Sequence, residues 1–137
     1  MSIRVVRLGK PRLRGEGLRL GTVRRPPRGV KKADYARRDY FDLWLPELAP
    51  SQKWVSWALS KPFTDKRWRQ YAKRYRREMA APAAQRLMKL LASLSQQADF
   101  SVGCYCESED RCHRSILREL LAEQGAKLTR RAVAGSR

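Results

Sequence analysis

The chain has 137 residues, with 31 Lys and Arg against 13 Asp and Glu, for a formal net charge of +18 at pH 7. That length suits one domain whose core needs no metal or disulfide support, and no apolar run approaches the ~20 residues that cross a bilayer. So basic a balance favours a polyanionic partner, because Lys and Arg gain affinity by releasing counterions from nucleic acid, although an arginine-preferring proteome produces the same balance.

Taken in order, Ile3–Leu8 is β-branched and apolar and predicts the first strand. A loop with Pro11, Gly15 and Gly17 leads to Leu18–Val23, whose alternation predicts the second strand. The segment Arg24-Arg-Pro-Pro-Arg-Gly-Val-Lys-Lys32 ends it, and its prolines and glycine make a basic loop held in shape, suited to gripping an anion. Tyr40–Leu45 is a third strand or an aromatic turn, fenced by Pro46 and Pro50. Ser51 is the expected N-cap of a helix carrying Trp54, Val55 and Ala58 on one stripe.

Thr64 opens the next helix, on which Trp68, Tyr71, Ala72, Tyr75 and Met79 fall on one core-facing stripe. Its other side is densely basic, and Arg69, Lys73, Arg76 and Arg77 form a candidate nucleic-acid face. Pro82 starts a further helix expected to bury Leu87, Leu90, Leu91 and Leu94. Phe100–Cys106 reads as a buried strand, and Ile116, Leu117, Leu120 and Leu121 as the helix after it, with Asp110 as the expected N-cap and Gly125 just past the end. Residues 1–126 therefore make one domain, and 127–137 read as a basic, disordered tail.

The turn between that strand and helix is where chemistry concentrates: all three cysteines and the single histidine fall within Cys104–His113. Three thiols cannot all pair within one chain, and the sequence opens without a leader-like segment, which together point to a reduced, cytoplasmic setting.

Several motifs occur in a fixed order: Val23-Arg-Arg-Pro-Pro-Arg-Gly-Val-Lys-Lys32, Trp44-Leu-Pro-Glu-Leu-Ala-Pro-Ser51, the Trp68–Arg77 helix and the Cys112-His113-Arg114 step. In these the chain resembles the YeaO-like group of the DUF488 family, a large bacterial family, over roughly Ile3 to Gly125. The resemblance implies a small α/β domain in a cytoplasmic bacterial protein and implies no activity. YeaO-like proteins need not carry cysteine at the strand end.

Three chemistries fit the cysteine–histidine turn. Zinc could in principle take Cys104, Cys106, Cys112 and His113, but spacings of one and then five residues depart from a knuckle, so no metal and no cofactor is expected. Thiol catalysis is the second. Cys106 with Arg111 five residues on has the loop size of a rhodanese-type sulfurtransferase, but acidic Glu107, Glu109 and Asp110 oppose a thiolate there. Cys112, at a helix N-terminus beside His113 and Arg114, is the better nucleophile, with Glu107 as a further acid–base candidate. The third is an anion pocket: His113 and Arg114 joined by Arg24, Arg25 and Arg28 from a neighbouring strand end would cradle a phosphate.

The reading is a single α/β domain, a central sheet of three or four strands flanked by four or five helices, binding a phosphate-bearing nucleotide or nucleic acid. A small-molecule thiol enzyme using Cys112 and His113 is the alternative, and a structural zinc protein that binds nucleic acid the next. The sequence alone does not set the oligomeric state.

Overall fold

The computed structural model describes residues 1–60, 64–106 and 109–129. Four strands, β1 (Ile3–Arg7), β2 (Leu18–Gly21), β3 (Leu43–Trp44) and β4 (Phe100–Cys104), form a parallel sheet in the order β1-β4-β2-β3. Among the described residues four helices accompany it: α1 (Gln52–Leu59), α2 (Asp65–Met79), α3 (Pro82–Leu94) and α4 (His113–Glu123). Single 3-10 turns sit at Lys32–Asp34 and Pro46–Leu48. The expected α/β class and its element count hold.

β4 lies inside the sheet and every one of its residues is buried, as befits a short apolar run covered on both faces. The main core gathers Ile3, Leu20, Phe100 and Val102 from the sheet with Tyr75, Met79, Met88, Leu117 and Leu121 from the helices. A second cluster holds Leu8, Val23, Phe41, Cys104 and Cys112. Cys104 and Cys112 thus sit in packed surroundings, whereas Cys106 is exposed.

Three expectations are corrected, and the open reading of 40–45 resolves to a short strand. On α3 the stripe is Ala84, Met88, Leu91 and Ala92, while Leu90 is 54% and Leu94 43% exposed. Helical phase decides which positions face inward, and the richest leucines fall out of phase. In the 40–45 segment only Leu43 and Trp44 pair with β2, and both are exposed. In β2 the alternation is lost: Leu18 is exposed, while Arg19 and Leu20 are both buried. Lys127–Thr129 do not leave the domain: Ile3 donates to Lys127 O at 2.8 Å and Thr129 to Ile3 O at 2.8 Å, extending the β1 edge. The rest of the expected tail, 130–137, lies outside the described residues.

Gly17, leading into β2, has φ +78°, and a Cβ there would stand 2.0 Å from the Asp99 carbonyl oxygen. Gly17→Ala is expected to cost about 3 kcal/mol or more, combining left-handed strain with a clash against backbone that cannot yield cheaply. A urea midpoint equal to that of the parent would show that this loop yields freely.

Among the described residues no helix is long and apolar enough to cross a membrane.

Candidate functional site

Parallel neighbours β2 and β4 end together, with Gly21 opposite Gly103. The basic loop after β2 and the cysteine turn after β4 therefore leave the same edge of the sheet, the place where open α/β sheets form ligand crevices. A cleft of about 760 Å³ opens there. Arg24, Arg25, Pro27 and Arg28 line it from the basic loop, Val55 and Leu59 from α1, and Tyr71 from α2. Cys104, Cys106, Arg111, Cys112 and His113 line the opposite side.

The helix behind the cysteine turn starts later than expected. Cys112, not Asp110, is the N-cap of α4, because the Cys112 N–H donates to Glu109 O at 3.2 Å and closes one more turn before the helix begins. Its sulfur lies within 4.8 Å of the sulfurs of Cys104 and Cys106, which are 3.7 Å from each other. Hydrogen bonds from the Cys104 and then the Cys106 thiol pull the Cys112 thiol well below its ordinary value, outweighing burial, and His113 adds to the effect. The Cys104 thiol moves the other way, raised by its hydrogen bonds to Cys106 and Cys112 and by burial. One negative charge on this cluster belongs on Cys112.

His113 is buried, with its ring tilted against Tyr75 at a centroid distance of 5.3 Å. Its Nε2 is 2.7 Å from the Thr22 carbonyl oxygen, which can only accept, so Nε2 carries a proton. Nδ1 is thereby turned to the Cys112 sulfur, 3.7 Å away. Thr22 orients this ring from just past β2. Nothing local in the sequence connects positions 22 and 113; only the β2–β4 register does.

Arg114 takes a different place from the one its neighbours suggest. It is buried, and its two terminal nitrogens donate to Val6 O and Cys106 O, each at 2.7 Å, tying β1 to the cysteine turn. Arg24 is half-buried and donates to Ala49 O and Pro50 O, both at 3.1 Å, which anchors the basic loop. Arg25 and Arg28 are exposed, and Arg25 reaches Gln52 Oε1 at 2.8 Å. Arg111 stands across the cleft and pairs with Asp65. The cleft thus has an arginine rim made of Arg25, Arg28 and Arg111, with the thiols and His113 below it. Glu107 lies outside the described residues.

On the basic helix, Arg69, Lys73 and Arg77 are exposed, but Arg76 is tied to Glu119 at 2.5 Å and Glu123 at 3.4 Å on α4. Trp54 and Trp57 are half-buried beside that face, with the Arg74 guanidinium 5.0 Å from the Trp54 ring and that of Arg67 4.0 Å from Trp57. Trp54 reads as part of a plain helix stripe in the sequence, and with Trp57 it proves to belong to a basic, aromatic surface.

A family model described as the active DUF488-N3 subclade matches residues 3–125. The chain belongs to that subclade. Its matched span runs from the first residue of β1 to the glycine just past α4, so it contains every residue of the cleft. No curated protein and no solved structure matches the chain. For this DUF488 protein the reading of the site therefore rests on its own geometry.

Proposed function

We infer that the protein is a thiol-dependent enzyme acting on a phosphate-bearing ligand, a nucleotide or a nucleic acid. The observation that carries this reading is the Cys112–His113 pair: a buried sulfur on the floor of a cleft, 3.7 Å from an imidazole nitrogen whose ring is fixed from its other side by Thr22. His113 Nδ1 takes the thiol proton, and the Cys112 thiolate attacks the ligand's electrophilic centre. A covalent bond to sulfur forms as the bond to the leaving group breaks. Nδ1 then returns the proton to the leaving group.

Charge supports the ligand class. Arg25, Arg28 and Arg111 rim the cleft, and α4 presents its N-terminus to it, where the N–H groups of His113 and Arg114 have no backbone partner among the described residues. The description of the subclade as active agrees with an enzymatic reading.

Alkylation by iodoacetamide at neutral pH tests the pair. Cys112 should react about 10-fold faster than Cys106, since His113 Nδ1 and the neighbouring thiols favour its thiolate. His113→Gln keeps a donor for Thr22 and removes the nitrogen facing sulfur, so it should return Cys112 to an ordinary rate with the fold intact by circular dichroism. A Cys112 that stays inert while Cys106 reacts would sink the reading.

A nucleic acid is favoured over a mononucleotide by the Arg69, Lys73 and Arg77 face with Trp54 and Trp57 beside it, which offers both phosphate and stacking partners. Changing Arg69, Lys73 and Arg77 to Gln should weaken single-stranded oligonucleotide binding and reduce the salt slope by about one for each phosphate no longer neutralised. An unchanged slope would leave the mononucleotide as the ligand.

A further inference from the structure

The cysteine spacing in the chain argues against zinc, yet the fold brings three sulfurs together through space. Cys104 is held at the end of a fully buried central strand, Cys112 is fixed as the N-cap of α4, and Cys106 sits on a turn pinned by the Arg114 bond to its carbonyl. All three sulfurs lie within 4.8 Å of one another. Around a tetrahedral ion with metal–sulfur bonds of about 2.3 Å, thiolates stand roughly 3.8 Å apart. The Cys104–Cys106 separation is already 3.7 Å. Closing the cluster on one ion needs sulfur movements of roughly 1 Å or less.

We propose that Cys104, Cys106 and Cys112 bind one thiophilic d10 cation, zinc or cuprous ion, whose occupancy holds the Cys112 sulfur as a ligand and switches the cleft off. The binding stands on the three sulfurs alone; the switching rests on the reading of Cys112 as nucleophile.

Two features beyond the sulfur spacing suit an ion. Three thiolates around a divalent metal leave a net negative charge, and the buried Arg114 guanidinium, which has no carboxylate partner among the described residues, lies against the Cys106 carbonyl to balance it. The donor set contains only sulfur, which selects soft cations over magnesium or calcium. The cleft side of the cluster leaves a fourth position for water or an anionic ligand, the arrangement that separates an open site from a closed structural one.

The test uses the full chain, reduced and stripped with a chelator, then titrated with zinc alone, cuprous ion alone, or cobalt(II) as a spectroscopic stand-in. Cobalt should give a sulfur-to-metal charge-transfer band saturating at one equivalent, and zinc should displace it. Cys106→Ser, at an exposed position that the fold tolerates, should weaken binding about 100-fold or more. Bound zinc should protect Cys112 from iodoacetamide. Absence of the cobalt band, or unchanged affinity in Cys106→Ser, overturns the metal site. The arm that binds at one equivalent identifies the cation. If metal binds and metal-free Cys112 shows only ordinary thiol reactivity, the nucleophile reading falls while the metal site stands. If Cys112 is fast and cobalt gives no band, the metal site falls alone.

Discussion

Replacing Glu16 by glutamine should cost the fold about 3–5 kcal/mol, the range found when one partner of a buried ion pair is removed and the other charge is left behind. The partner is Arg19, on β2 and 1% exposed. Its Nε and Nη2 donate to the two Glu16 oxygens at 2.7 and 2.9 Å, and its Nη1 donates to Lys10 O and Asp39 O, both at 2.7 Å. Ser101 Oγ on β4 completes the cluster by donating to Glu16 Oε2 at 2.7 Å. The pair therefore locks two loops onto the central strands that carry the cleft.

Burial alone would raise the Glu16 carboxyl, but the bonds from Arg19, Ser101 and the Leu13 N–H overcome it and hold the group at about 2. A depressed carboxylate stabilises the fold above its unfolded value near 4.5, and that contribution is lost as pH falls towards 2. Acid unfolding followed by circular dichroism should steepen across this window in the parent and flatten in Glu16→Gln. Equal stability at pH 7 and an unchanged acid midpoint in the variant would refute the argument.

The same cluster shows why part of this protein could be read from the chain and part could not. Phe100–Cys104 and the Ile116–Leu121 repeat carry their own periodicity, so the strand, turn and helix around the cysteines were legible, as was the basic loop that ends β2. What alternation cannot express is a buried arginine between two leucines, satisfied by a carboxylate three residues back and by the carbonyls of two flanking loops. His113 and Thr22 are 91 positions apart and meet only through strand order. The three sulfurs pose the same problem, because ligand spacing counts residues whereas a strand end and a helix cap converge in space. Arg114 looked available to a ligand because it follows a histidine at a helix start, and no local signal says that its guanidinium turns inward to backbone carbonyls.

That inward turn sets the second large effect. Arg114→Met should lower Tm by about 5–10 °C, since two part-buried carbonyls, Val6 O and Cys106 O, lose their donors at about 1 kcal/mol each. Val6 is opposite Gly103 in the β1–β4 ladder, so the guanidinium spans the end of that ladder and the start of the cysteine turn. Loosening it should also speed Cys106 alkylation, because that carbonyl is the anchor of the turn on which the thiol sits. Arg114→Lys can reach one carbonyl but lacks the planar fork that serves both, and should recover only part of the loss. The discriminating measurement is Tm and phosphate-ligand affinity on the lysine variant together. A residue that positions the site lowers Tm, and affinity falls with it. A residue that touches the anion loses affinity at unchanged Tm, and that outcome would return Arg114 from the frame of the cleft to its lining.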